Sequence, residues 1–181
     1  MGKRNLSQRI GEGIRINLVP GLVLWVMGVC LVAIYYLGVF SRPWFNEIKI
    51  LKETYGFVYS AVSTSFFGGL IPYLFMQLTG RDSLKGLWSG LIFLGYWALR
   101  GIDVDAFYRL QAMIFGTGVY LKTIIFKVLF DQFIYCVVWA SPITALFYTW
   151  REAGFSIKQW KGDKSWSELF DMILIFTVTT W

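Results

Sequence analysis

The stretch VYLKTIIFKVLFDQFIYCVVWASPITALFYTW, residues 119–150, is the most apolar part of the second half of the chain and decides how the whole is read. A run of this length predicts a membrane span, which needs about 20 predominantly apolar residues. Lys127 and Asp131 stand inside it one helical turn apart, with Gln132 beside the aspartate. An ionisable group near the centre of a span costs about 2.5–3.5 kcal/mol on insertion scales, so charges there have partners or tasks. If the span enters hydrocarbon near Lys122, Asp131 lies about 13 Å deep at about 1.5 Å per residue, close to the midplane of a core about 30 Å thick. Its short stem cannot carry the carboxylate back to water, whereas the lysine stem can. Thr123, Lys127, Asp131 and Tyr135 follow one another at four-residue steps and form a slowly drifting polar stripe. Two readings stand side by side. Lys127 and Asp131 neutralise each other within one helix, or Asp131 meets a polar partner on another segment, from beyond Asp103 or from the second span. The base precedes the acid, the less favourable helical order, which speaks for the second.

Composition agrees with the membrane reading. Hydrophobic residues make up 56% of the 181 and charged residues 15%, against about a quarter charged in soluble domains. Histidine is absent, which removes the usual general base near neutral pH, the commonest metal-binding imidazole and the normal haem ligand. Cys30 and Cys136 both fall in apolar spans, so buried free thiols are expected rather than a disulfide or a zinc site. No cofactor and no metal centre is expected. The formal charge of +6 needs no nucleic acid, because basic flanks facing anionic lipid account for it.

Outward from residues 119–150, the chain divides into apolar runs with short polar punctuation. The expected fold is all-α, a polytopic membrane helix bundle of at least five hydrophobic helices. The spans fall at about Leu18–Phe40, Tyr55–Leu78, Leu84–Leu99, Val119–Trp150 with a bend or break at Pro142, and from Ser165 onward. Ser165 and Glu168 have the spacing of a capping box at the start of the last helix. The run from there to Trp181 is short of a full crossing and carries no stop signal, which predicts a longer chain or, as the alternative, a partially inserted tail. Two parts are distinguished: residues 1–54, with the basic start, the first span and a polar connection, and residues 55–181. With the N-terminus inside, Lys and Arg gather on the inner side, which predicts a cytoplasmic N-terminus.

Small residues in the second span recur every fourth position at Gly56, Ser60, Thr64 and Gly68, with Ala61, Ser65 and Gly69 beside them. Gly86 and Gly90 add the same spacing to the third. Such rows let helix backbones approach closely in lipid; they serve ordinary helix packing or the wall of a pore. Asp103 and Asp105 read as N-terminal caps of a helix starting near Ala106, or, less readily, as part of a cation site that two carboxylates cannot complete.

Gly101, the Phe107-Tyr108 pair that follows it, and then Lys127, three residues and Asp131-Gln132 resemble the Mpv-type family of peroxisomal and mitochondrial inner-membrane proteins. The resemblance runs from about Tyr55 to the end. It departs from the family at Ile102, where members carry proline, at Asp105, where many carry histidine, and at Phe107, where tryptophan is usual. The family's Trp-Pro signature would begin beyond Trp181. The resemblance implies an integral membrane protein without a cofactor, described as a weakly selective channel for small solutes, and singles out Gly101, Tyr108, Lys127, Asp131 and Gln132.

Two functions remain in view. One is a channel or permeation pathway lined by the polar stripe, with Tyr108 added to Thr123, Lys127, Asp131, Gln132 and Tyr135. The other is a non-catalytic structural or accessory subunit, which needs only packing faces and an aromatic belt, for which Trp44, Trp88, Trp150, Trp160 and Trp166 are candidates. No catalytic constellation is seen, so an enzyme is not expected. The expected partners are the lipid bilayer and a second copy or other membrane subunits, and the expected location is a bacterial inner membrane.

Overall fold

The computed structural model describes residues 6–38, 42–78, 86–163 and 166–180, and every regular element among them is helical. Lys3, Arg4, Phe40, Arg81, Leu84, Lys85, Lys164, Ser165 and Trp181 lie outside those residues. With them go the basic start, the beginning of the third expected span and the serine of the expected capping box.

Helix α1 covers Leu6–Leu37 and α2 covers Arg42–Thr64. A π-helical segment, Ser65–Leu70, leads without a break into α3, Ile71–Leu78. Helix α4 runs over Leu87–Phe115. Helix α5, Leu121–Leu129, passes through a second π-helical segment, Phe130–Ala140, into α6, Ser141–Glu152. Two shorter helices follow, α7 at Ile157–Asp163 and α8 at Trp166–Thr180.

Among the described residues, three helical stretches are long and apolar enough to cross a membrane: Asn17–Leu37, Pro43–Leu78 and Leu121–Glu152. The third expected span belongs to α4, which continues past Leu99 through Arg100, Asp103, Asp105 and Arg109. The fifth corresponds to α8, 15 residues long.

Both π-helical segments end two residues before a proline, Leu70 ahead of Ile71-Pro72 and Ala140 ahead of Ser141-Pro142. Proline has no N–H to donate and its ring crowds the carbonyl of the preceding turn. The amide just ahead of each proline bonds five residues back, Ile71 to the Phe66 carbonyl and Ser141 to that of Cys136. The wider turn takes up the misfit, so of the bend or break expected at Pro142 the break does not occur, and the helix continues through the proline with a π-helical stretch upstream.

The contacts divide the chain into two units, Ile34–Gly118 and Met1–Ala33 with Val119–Trp181. In the first, α2 and α4 run antiparallel, and their contacts can be followed along both. Tyr73 lies against Gly90, Trp97 against Gly68 and Gly69, and Gly101 against Ser60 and Thr64. Phe93, 1% exposed, sits between the rings of Tyr73 and Trp97. In the second unit the core is built around Ala145, Phe147 and Leu169, with Tyr148 stacked on Phe176 of α8. The turn after α6 holds Gly154 and Phe155 at positive φ and brings Phe155 edge-on to Trp150. Trp160 then donates its indole N–H to Thr149 Oγ1 at 2.8 Å.

Of the five belt candidates, Trp44, Trp88 and Trp166 are exposed, while Trp150 and Trp160 turn into the α6–α7 packing. The two cysteines are free. Cys136 is half-buried, but Cys30 is exposed on α1, because that helix is uncovered along its apolar length.

Candidate functional site

In the Ile34–Gly118 unit the site is assembled at a bend. Gly56 interrupts α2 with φ 49° and ψ −118°, a conformation only glycine adopts without strain. Its four-residue spacing places it in the small-residue row, yet its backbone angles turn the chain. Four residues on either side of it stand Lys52 and Ser60, and both meet Asp105 of α4. Ser60 Oγ donates to Asp105 Oδ2 at 2.9 Å, Lys52 Nζ lies 3.1 Å from the same oxygen, and Arg109 Nε donates to Oδ1 at 3.3 Å. Lys52 also donates to Ser60 Oγ. Arg109 lies over the Phe57 ring, 4.5 Å from its centre.

Asp105 is 7% exposed. Burial alone would raise its carboxyl group. The hydrogen bonds from Ser60, Lys52 and Arg109, with the charge on Lys52, outweigh burial and hold the group below the ordinary carboxylate value.

The close approach that makes this possible belongs to Gly101. A Cβ placed there would collide with the Ser60 carbonyl and come within 2.7 Å of Thr64 Oγ1. Ser60, Thr64 and Gly68 therefore receive α4, with Trp97 lying on Gly68. Gly86 precedes α4 and Gly90 meets the Tyr73 ring.

Asp103 and Asp105 do not cap a helix. Both lie in the interior of α4, where Asp103 pairs with Arg100. The sequence did carry a usable signal: Asp105 and Arg109 have the favourable acid-before-base order at four residues, and Arg100 and Asp103 the three-residue spacing of a helical pair.

In the other unit, Lys127 falls in the last turn of α5, and Asp131, Gln132 and Tyr135 fall in the π-helical segment. Lys127, Asp131, Gln132 and Thr123 are half-buried and Tyr135 is buried. Gln132 Nε2 donates to Asp131 Oδ2 at 3.1 Å, and the Cys136 thiol points at the same oxygen at 3.9 Å. Both partners are on Asp131's own helix. A turn that closes over five residues instead of four brings Cys136, rather than Tyr135, under Asp131. Tyr108, in α4, is exposed with its ring beside Phe107. Among the described residues no group of three or more acidic and thiol side chains converges to hold a metal ion.

Compared with protein families, curated proteins and solved structures, this chain matches none.

Proposed function

We propose that this chain is a non-enzymatic integral membrane protein, a bundle of at least five hydrophobic helices of Mpv type with its N-terminus in the bacterial cytoplasm. Its mid-span polar groups support slow passage of small solutes. One observation carries the reading. Asp131 is a half-buried carboxylate ten residues into the Leu121–Glu152 stretch, about 15 Å along it, and hydrogen bonds come to it from a single helix. A carboxylate left against hydrocarbon at that depth is costly, so water or another polar surface completes its shell. Gln132 and Lys127 extend the polar region along the helix.

Purified full chain in liposomes should raise permeability to small ions or metabolites above that of empty vesicles. Asp131→Asn and Lys127→Met should alter conductance or selectivity while helical content stays unchanged. Flux equal to that of empty vesicles, with variants that only lower stability, would refute the pathway and favour an accessory subunit of a membrane complex. That second reading has its own support: none of the Asn17–Leu37 stretch is buried within the described residues, which leaves a whole helix for a second copy or another subunit.

A further inference from the structure

We propose that the groove between α2 and α4 binds one anionic phospholipid, with its phosphate against Lys52 and Arg109 and one acyl chain in the apolar cavity beyond them. The inference rests on the membrane reading above and concerns the Ile34–Gly118 unit alone.

Charge is the first support. Around the bend, Lys49 pairs with Glu53 and Arg100 with Asp103, which leaves Lys52 and Arg109 sharing the single carboxylate of Asp105. The cluster thus keeps one positive charge in excess. Its cations are also within reach of a ligand: their side chains are 40% and 52% exposed, while Asp105 is covered. Among the described residues, Arg109 gives Asp105 only its Nε, and its terminal N–H groups remain for an oxyanion.

Depth is the second. No charged residue occurs from Thr54 to Leu78 on α2 and α3, and none from Gly86 to Leu99 on α4. Charge begins on both helices at the same end of the pair, where Lys52 and Asp105 meet, so the headgroup level of a bilayer falls there.

The third is the cavity. About 300 Å³ opens in this groove, lined by Ala61, Val62, Ser65, Phe66, Leu94 and Ala98 among others. Its one hydroxyl, on Ser65, is already spent on the Leu94 carbonyl at 3.0 Å, so the wall offers hydrocarbon. Leu94, Ala98, Asp105 and Arg109 follow the helical repeat along one face of α4, which puts cavity and cations on the same side. From Arg109 to Leu94 the helix covers about 22 Å, roughly half the thickness of a bilayer with its headgroups. A single phospholipid has this layout: an anion at the surface and a chain running inward beside small side chains.

The test uses the full chain in liposomes of phosphatidylcholine doped with spin-labelled phosphatidylglycerol or spin-labelled phosphatidylcholine. The fraction of label immobilised by the protein is the readout. Phosphatidylglycerol should be preferred by about fivefold or more at low salt, the scale set by one basic residue at an anionic headgroup. Lys52→Gln combined with Arg109→Gln should abolish the preference. Arg109→Lys should keep most of it, and Ala98→Phe, which fills the cavity, should lower immobilisation of both lipids. If the glutamine variant loses helical content, the other two carry the decision. Equal immobilisation of the two lipids by the unaltered chain overturns the proposal, as does Ala98→Phe without effect, or a preference erased by inorganic phosphate alone, which would mark a free-anion site. A chain that does not enter the bilayer refutes the membrane reading itself; a chain that enters and shows no preference refutes the lipid site only.

Discussion

Two aspartates in this molecule are handled in opposite ways. Asp105 joins two helices: its partners come from both α2 and α4, and both carboxylate oxygens are engaged. Asp131 receives its hydrogen bonds from one helix, from the residue beside it and the residue five further on. A carboxylate answered from a second helix fixes the distance between the two, so its loss is felt as loss of packing. A carboxylate answered from its own helix leaves the neighbouring surface unspecified, and its loss is felt in what that surface contacts. The first arrangement serves architecture. The second is the one expected where a solute or another subunit has to be met.

The largest effect that would break this contrast lies at the contact beneath Asp105. Gly101→Ala drives a methyl group into the Ser60 carbonyl, a backbone atom that cannot swing aside, and is expected to destabilise the fold by about 3 kcal/mol. Gly28→Ala, on the uncovered apolar length of α1 with nothing within 4 Å, should leave stability unchanged or slightly raised. Denaturation of both variants in detergent micelles, followed by helical signal, compares them directly. Equal behaviour of the two would mean that α2 and α4 are not pressed together at Gly101.

Next in size is the carboxylate itself. Asp105→Asn leaves Lys52 and Arg109 without their counter-charge, and, discounted for the solvent exposure of both cations, should cost about 2 kcal/mol. The sign of its pH dependence follows from the lowered proton affinity of the folded state. The stabilisation is fully present above the ordinary carboxylate range, near 3.8, and is lost as pH falls through the still lower value in the folded protein. Unfolding curves from neutral pH down to about pH 3 should therefore steepen less for Asp105→Asn than for the unaltered chain. Parallel curves would remove Asp105 from the account of acid sensitivity.

The smallest of the three sharpens the comparison. Gly56→Ala asks an alanine to hold φ 49°, and about 1 kcal/mol is expected to be lost. The Asp105 network should loosen with it, since the bend is what lets Lys52 and Ser60 reach one oxygen. A double-mutant cycle between Gly56→Ala and Asp105→Asn should show coupling of about 0.5 kcal/mol or more, and strict additivity would separate the bend from the latch.

Apolar length and helical character could be read from the chain directly, because an unbroken greasy run such as residues 22–37 admits little else. The row Ser60, Thr64 and Gly68 could also be read as a face that admits a close neighbour. The role of Gly56 could not, since its spacing is that of the same row and only the backbone angle sets it apart. Asp105 was hidden by a local rule: two acids ahead of an apolar stretch look like a helix start, a cue that outweighed the helical spacing of Arg100 with Asp103 and of Asp105 with Arg109 inside a helix under way since Leu87. The stripe Thr123–Lys127–Asp131–Tyr135 presumes an ordinary α-helical repeat throughout. That assumption fails at Phe130, where the hydrogen-bond ring widens, and the residue brought under Asp131 changes from Tyr135 to Cys136.

The two widened segments ahead of Pro72 and Pro142 act on the chain as phase shifters. Each advances the angular bearing of every side chain downstream relative to those upstream, so the faces of α3 and α6 are set by how many residues the segment holds rather than by the sequences of α3 and α6 themselves. Chain length is thereby decoupled from helix direction: adding or removing one residue within Ser65–Leu70 or Phe130–Ala140 alters which face looks where, while the axis runs on. Unlike the bend at Gly56, which turns the axis itself, these two segments of the described residues let a whole surface be re-aimed by a change of a single residue in number, with no change in kind.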